Sequence, residues 1–259
     1  MKNIILITFL FFSIFVFSQQ KGLVKYGYIP ALDIGKARGV DYNSYLVFNK
    51  QLSKYVTLKD SLEERENKNK ERRFDVDGKG VSVYSGMSLC LDGEQVVYHI
   101  NKNTMWSSSL EDDLVYVKET APKINWKLVN ETKKIGKFLC KKAVANFRGR
   151  DYTAWYTKEI PVPYGPWKLH GLPGLILEAY DTDKFVYWYF KSVEYPTNNE
   201  EKVEYMELPK NKKFITYQEY KAHQRDVIEK TEDKIKVIRQ SYPNAEIKAG
   251  GISNFIERE

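Results

Sequence analysis

From residue 43 onward the chain is built of short runs in which apolar and polar residues alternate. Residues 43–49 alternate, a short polar turn follows, and with 53–58 they predict a β-hairpin. Strand-like runs then recur at 95–100, 105–110, 114–119, 125–130, 137–147, 151–157, 175–180 and 185–193. Short strands joined by tight turns predict an antiparallel meander, because parallel neighbours need crossover connections of roughly a dozen residues or more. The run Phe185-Val186-Tyr187-Trp188-Tyr189-Phe190 is apolar at both alternations, so it predicts a strand covered on both faces.

Helical spacing is clear near the C-terminal end. Thr216 and Glu219 form a T-x-x-E capping box, and Tyr220, Val227, Ile228, Ile235, Ile238 and Tyr242 follow at helical period before Pro243. The other face is charged, which predicts an amphipathic helix laying its apolar stripe across the sheet. Residues 59–73 are dominated by charge, with Leu62 to bury and Glu64–Lys68 and Glu66–Lys70 at i,i+4 spacing. This segment reads as an exposed loop or helix. Asp77-Gly78 and Asp92-Gly93 are turn signals, and the tail from residue 244, with Gly250-Gly251, reads as weakly ordered.

The first eighteen residues have a different pattern. A positive Met1-Lys2 start precedes an apolar stretch over residues 4–17, and Val16 and Ser18 suit the −3 and −1 positions of a signal peptidase site. The stretch is shorter than the ~20 apolar residues of a spanning helix. Cleavage before Gln19 is expected to leave one domain, residues 19–259, in the periplasm or released, with no integral membrane segment.

Composition then narrows the picture. Aromatic residues make up 14% of the chain, with nineteen tyrosines, which suits pleated and half-buried strands. The net charge of +7 would suggest nucleic acid in a cytoplasmic protein, but export excludes that partner and the lysines are scattered. Cys90 and Cys140 are an even pair in an oxidising compartment, and a disulfide between them is expected. It would contribute ~4 kcal/mol in the chain-entropy model. Two separate buried thiols are the alternative.

Residues 135–177 are the distinctive segment: a strand, a tight Arg148-Gly149-Arg150 turn, a second strand, a long connection rich in proline and glycine, and a third strand. Leu172-Pro173-Gly174-Leu175 has the pattern of a type II turn, with glycine where φ is positive. The run Gly171-Leu172-Pro173-Gly174-Leu175-Ile176 resembles the signature of the GLPGLI family of exported proteins from Gram-negative bacteria. The resemblance extends to the Cys140 segment, the Arg148-Gly149-Arg150 turn, Ala154-Trp155-Tyr156, Glu159-Ile160-Pro161 and Gly165-Pro166. That family has no established activity. The resemblance implies a β-rich α+β fold, a curved antiparallel sheet like a half-barrel with one packed C-terminal helix, by analogy with lipoprotein carriers.

Known catalytic constellations are missing from the sequence. His99, His170 and His223 stand in no zinc-ligand spacing, there is no G-x-S-x-G, and the glycines do not form a phosphate loop. No cofactor or metal is expected. Glu178 shares a strand face with Ile176 and Tyr180, so its carboxylate needs a cation, which Arg148 or Arg150 would supply across the sheet. A structural ion pair or a solvent-facing Glu178 is the plain reading. The sharper one is a ligand groove with Glu178, Arg148 and Arg150 at its mouth and Trp155, Trp167 and Trp188 as its walls. Trp167, inside the proline-bounded loop, is expected to line that site. The expected function is therefore an exported, non-enzymatic binding or accessory protein for a small hydrophobic, peptide or sugar ligand. A carboxylate-dependent hydrolase using Glu159 and Glu178, and a partner of an outer-membrane receptor or transporter, are the alternatives.

Overall fold

The computed structural model describes residues 21–30, 40–63, 72–75, 81–84, 89–110, 114–198, 211–241 and 257. Residues 1–18, read above as a leader, the Asp77-Gly78 pair read as a turn, most of the charged segment after Glu63, and the tail from residue 244 other than Glu257 lie outside these residues. In chain order the strands are β1 (Gly22–Pro30), β2 (Tyr42–Phe48), β3 (Leu52–Thr57), β4 (Arg72–Asp75), β5 (Val81–Tyr84), β6 (Glu94–His99) and β7 (Thr104–Leu110). They continue with β8 (Leu114–Thr120), β9 (Lys127–Ile135), β10 (Phe138–Phe147), β11 (Arg150–Thr157), β12 (Leu175–Asp181), β13 (Val186–Glu194) and β14 (Phe214–Thr216). One long helix, α1 (Tyr217–Ser241), follows.

Twelve strands form one open sheet in the order β14-β8-β7-β6-β3-β2-β1-β13-β12-β11-β10-β9, and β4 and β5 pair separately. Each run that alternates in the sequence is a strand here, and the hairpin β2–β3 pairs Tyr45 with Val56. The meander is interrupted in two places. The strand β1, which lacks a clear alternation, inserts between β2 and β13 and joins the two halves of the sheet. The edge strand β14 runs parallel to β8, so the sheet is mixed where an antiparallel one was expected.

The sheet is curled. Eight strands separate β8 from β10, which in a flat sheet would set them about 40 Å apart at ~4.8 Å per strand. Yet Glu119 of β8 forms an ion pair with Arg148 in the β10–β11 turn. Across the same interior, Trp188 Nε1 of β13 donates to Tyr55 Oη of β3 at 2.9 Å. Bulges between Lys25 and Tyr26, Lys141 and Lys142, and Trp155 and Tyr156 supply local bending.

The interior of the curl is filled by the chain's own connection, residues 158–174. Ile160, Val162, Tyr164, Leu169 and Leu172 are all buried there with Leu175 and Ile176. Phe48 and Tyr98 close on the Tyr164 ring at 5.9 and 6.1 Å. The connection is held as tightly as a strand: Gly171 N–H donates to Pro163 O at 3.0 Å, Leu175 N–H to Ile160 O at 3.0 Å, and Ile176 N–H to Tyr164 O at 2.9 Å.

The helix takes a different place from the one expected across the sheet. The capping box forms, with Thr216 N–H donating to Glu219 Oε2 at 2.7 Å and Glu219 N–H to Thr216 Oγ1 at 3.2 Å. But α1 lies against β14 and β8 at its start, where Tyr220 and Gln224 are buried, while Val237 is 61% exposed. Its main contacts with the sheet are with these two strands at one edge. No helix among the described residues is long and apolar enough to cross a membrane.

The expected disulfide is also corrected. Cys90 and Cys140 are both free thiols. Cys90 bridges to Lys59 beside β3 and β6, whereas Cys140 is buried in β10, and six strands of the sheet stand between β6 and β10. Burial pushes the Cys140 thiol up to about 11, so it packs as a small apolar group.

The Leu172–Leu175 turn does not put Gly174 at positive φ; the residue at φ +90° is Gly171. Gly174 is needed for close approach instead, since a Cβ there would stand 2.1 Å from Thr157 O. At Gly171 an added Cβ would meet open space. Gly174→Ala is therefore expected to cost more, about 1–3 kcal/mol of backbone displacement, than Gly171→Ala, at ~1 kcal/mol of local strain. Urea denaturation of the two variants measures the order, and an equal or reversed cost would show that conformation, not contact, sets the glycine at 174.

Candidate functional site

The six residues singled out from the sequence are divided by the sheet into an inner set and an outer set. Trp188 is fully buried on the inner face, directly opposite Ala179 on one side and Tyr28 on the other. Its indole stacks on the Tyr28 ring at 5.7 Å and on Trp167 at 5.9 Å, with interplanar angles of 16° and 13°. Trp167 also meets Phe147 at 5.8 Å and Tyr152 at 6.1 Å. Its backbone sits at φ +52°, a left-handed conformation that non-glycine residues adopt at a cost of order 1 kcal/mol. The aromatic contacts offset that strain: the turn, closed by Leu169 N–H donating to Pro166 O at 3.1 Å, aims the indole inward. Trp167 is thus half-buried, with its indole packed on the core.

The arginines pair elsewhere than with Glu178. Arg150 Nη1 donates to Asp181 Oδ2 at 2.7 Å, with both side chains 2% exposed, and Asp181 Oδ1 accepts Val186 N–H at 2.9 Å. Arg148 reaches Glu119, and Lys168 Nζ bonds Glu119 Oε1 at 2.9 Å and Glu257 Oε1 at 2.5 Å. Arg148 also lies 3.5 Å above the Tyr217 ring, and burial followed by Glu257 pushes the Tyr217 hydroxyl up to about 12. Strand alternation explains the correction. Asp181 lies three residues beyond Glu178 on β12, so the two carboxylates point to opposite faces and only Asp181 can meet Arg150.

On the outer face Glu178 stands directly opposite Trp155. Lys133, from the edge strand β9, bonds Glu178 Oε1 at 2.6 Å and lies 4.4 Å over the Trp155 ring. The Trp155 ring is covered, yet its Nε1 has no hydrogen-bond partner among the described residues. From there an aromatic strip crosses three strands. Tyr180 and Tyr187 face each other at 5.9 Å, Tyr187 and Tyr189 lie 5.8 Å apart, and Tyr189 covers Gly27, where a Cβ would stand 2.1 Å from its ring. Tyr189 Oη donates to Asp41 Oδ2 at 2.5 Å, and Lys191 Nζ donates to Asn43 Oδ1 at 2.9 Å. Burial, with Glu178 and Tyr180 adding to it, pushes the Tyr187 hydroxyl up to about 12. The strip therefore offers half-buried ring faces bordered by a carboxylate and an ammonium at each end.

Sequence reasoning found Trp155 and Glu178 but missed Lys133, Tyr180, Tyr187, Tyr189 and Asp41. The alternation within 185–190 does separate Tyr187 and Tyr189 from Trp188, but which set faces outward follows only from the pairing with β12 and β1. The carboxylates considered for hydrolysis are engaged separately: Glu159 Oε1 accepts Leu139 N–H at 3.0 Å, and Glu178 holds Lys133. Among the described residues no group of three His, Cys, Asp or Glu side chains is placed to hold a metal ion.

Two consequences are measurable. Trp167→Ala removes a half-buried indole stacked on the aromatic core and is expected to cost ~3 kcal/mol with an unchanged m-value in urea. A cost below ~1 kcal/mol would place the residue at a surface. His170 is buried against the Tyr98 ring at 4.6 Å, with Nδ1 2.8 Å from Lys168 O, and burial holds its pKa below the usual 6.5. The unfolded chain then takes up a proton near 6.5 that the folded chain resists, so stability falls as pH drops below 6.5. His170→Gln is expected to shallow that fall between pH 7.5 and 5.5, with His99, also held low, keeping part of it. An unchanged slope would remove His170 from the acid response.

The fold is similar to solved structures titled "Structure of PNGF-II". One, in a P21 space group, superposes with a TM-score of 0.52 at 17% identity, and another, in a C2 space group, with 0.50 at 16%. Each likeness covers 78% of this chain and 32% of that one, so the chain spans about a third of the neighbour's length. No curated protein sequence matches. The resemblance read from the GLPGLI segment is borne out: residues 147–178, from the β10–β11 turn to Glu178, match the profile of a family described as "Protein of unknown function (Porph_ging)".

Proposed function

We propose that this is an exported, non-enzymatic binding or accessory protein that meets its ligand on the outer face of β11–β13. Export rests on the leader pattern of residues 1–18. One observation carries the choice of face: loop 158–174 fills the interior that a carrier-like half-barrel would give to a ligand, with Tyr164, Leu169 and Leu172 each 1% exposed. The groove imagined between three tryptophans is therefore replaced by the strip of Trp155, Tyr180, Tyr187 and Tyr189. Half-buried tyrosine rings beside charged groups, here backed by the buried Trp155, are the composition of recognition surfaces, where rings supply contact area at little entropic cost. The strip suits a ligand with flat apolar faces and hydrogen-bonding groups between them, as in a peptide or a sugar chain.

Site-specific photo-cross-linking in the producing cell tests this. A benzoylphenylalanine at Tyr187 or Tyr180 is expected to give a discrete adduct, while the same probe at Leu91, 82% exposed and away from the strip, gives none. Glu178→Gln is expected to reduce the Tyr187 adduct severalfold. Equal labelling at Leu91, or no adduct from either tyrosine position, would count against the strip as the contact surface.

A further inference from the structure

The buried charges around Lys168 do not balance within the folded sheet. Arg148 and Lys168 bring two positive charges, and Glu119 of β8 brings one negative. Lys168 is 1% exposed, so the remaining positive charge is deep in low dielectric, where an ion without a counter-charge is strongly disfavoured. The balancing carboxylate is Glu257, which lies sixteen residues past the end of α1 at Ser241 and belongs to no strand of the sheet. Its Oε1 bonds Lys168 at 2.5 Å, but Oε2 stands 3.6 Å from Arg148 Nε, and both of those atoms are buried without a hydrogen bond. The cations come from the β10–β11 turn and the loop 158–174, while Glu257 bonds Lys168 and the Tyr217 hydroxyl and leaves Arg148 Nε without a hydrogen-bond partner among the described residues.

We propose that Arg148, Lys168 and Tyr217 form an exchangeable binding site for a glutamate side chain presented on a peptide, and that Glu257 occupies it in cis. An acidic segment of a partner polypeptide enters by displacing Glu257, and it gains the Arg148 Nε hydrogen bond that Glu257 leaves unmade. A carboxylate fits because Arg148 and Lys168 converge on the two oxygens and Glu119, fixed by both cations, excludes a group of higher charge. Tyr217 stands at the first turn of α1, so exchange at this site is reported to the helix and to β14 before it. The site is separate from the outer strip, and its success or failure leaves the strip untouched.

Zero-length carbodiimide cross-linking of the intact wild-type protein reads the exchange directly. Without added peptide, mass spectrometry is expected to find Lys168 linked to Glu119 and to Glu257, two carboxylates it contacts. A synthetic peptide of residues 250–259 in excess should cut the Lys168–Glu257 link at least fivefold and replace it with a Lys168–peptide link, best read with the peptide isotopically labelled. The Lys168–Glu119 link is the internal reference and should not change. The same peptide carrying Glu257→Gln, and acetate at equal concentration, should leave both links as they were. Protein carrying Glu257→Gln should bind the unmodified peptide at least tenfold more tightly than wild type in calorimetry. An internal link that excess peptide does not reduce would overturn the proposal and make Glu257 a fixed structural partner. Displacement by acetate as effective as by peptide would equally overturn it, leaving a general anion sink.

Discussion

The structure depends on filling the inside of a curled sheet with the chain's own segment 158–174. A twelve-stranded sheet that bends far enough to bring β8 against the β10–β11 turn creates an apolar interior, and an empty interior would forfeit both burial and dispersion. Each leucine or isoleucine placed there contributes about 1.5–3 kcal/mol. The segment fits because glycines let backbone meet backbone. Gly174 rests on Thr157 O, and a Cβ at Gly165 would stand 2.8 Å from the Ile176 side chain. Once that fit is made, the positions of Trp167, Lys168 and His170 follow, since all three lie on the same stretch of the segment.

Burial of that stretch has a price in electrostatics. Lys168 cannot enter the interior without carboxylates, and Glu119 and Glu257 surround it. His170 enters neutral, its Nδ1 satisfied by Lys168 O, and Trp126 Nε1 donates to His170 O at 2.8 Å from the chain approaching β9. The polar atoms of the segment thus tie it to both ends of the sheet. The same burial leaves β11–β13 with two chemically different faces: stacked tryptophans and the Arg150–Asp181 pair within, tyrosines and the Lys133–Glu178 pair without.

Much of this was legible in the chain and some was not, for identifiable reasons. Short strand-like runs located every strand from β6 to β13 and the β2–β3 hairpin, and the Thr216–Glu219 capping box located the start of α1. The strand β1 escaped because Gly22 and Gly27, which make room for the rings of Phe48 and Tyr189, break its pattern. Pairing was not legible, and pairing decides the site. Glu178 and Asp181 differ by three positions, and without the register of β11 and β12 nothing says which one meets an arginine. Proline and glycine correctly announced a rigid connection, but rigidity does not distinguish a segment at the rim from one inside the sheet. Trp167 lies between the two, half-buried with its indole on the core.

The GLPGLI run itself is explained by packing. Gly171 takes φ +90°, Leu172 is buried, Gly174 approaches Thr157 O, and Leu175 and Ile176 enter β12 fully buried. Every one of these roles closes the plug and opens β12, and none presents a functional group to solvent. A signature of this kind marks an architecture, so it is compatible with different ligands in different chains that carry it. What can distinguish one ligand from another lies where the signature stops. Trp155 and Glu178 flank it, at the inner ends of the outer strip, and Tyr187, Tyr189 and Lys133 come from strands beyond it. The outer strip that we propose for recognition is thereby supported from behind by a core that the signature builds.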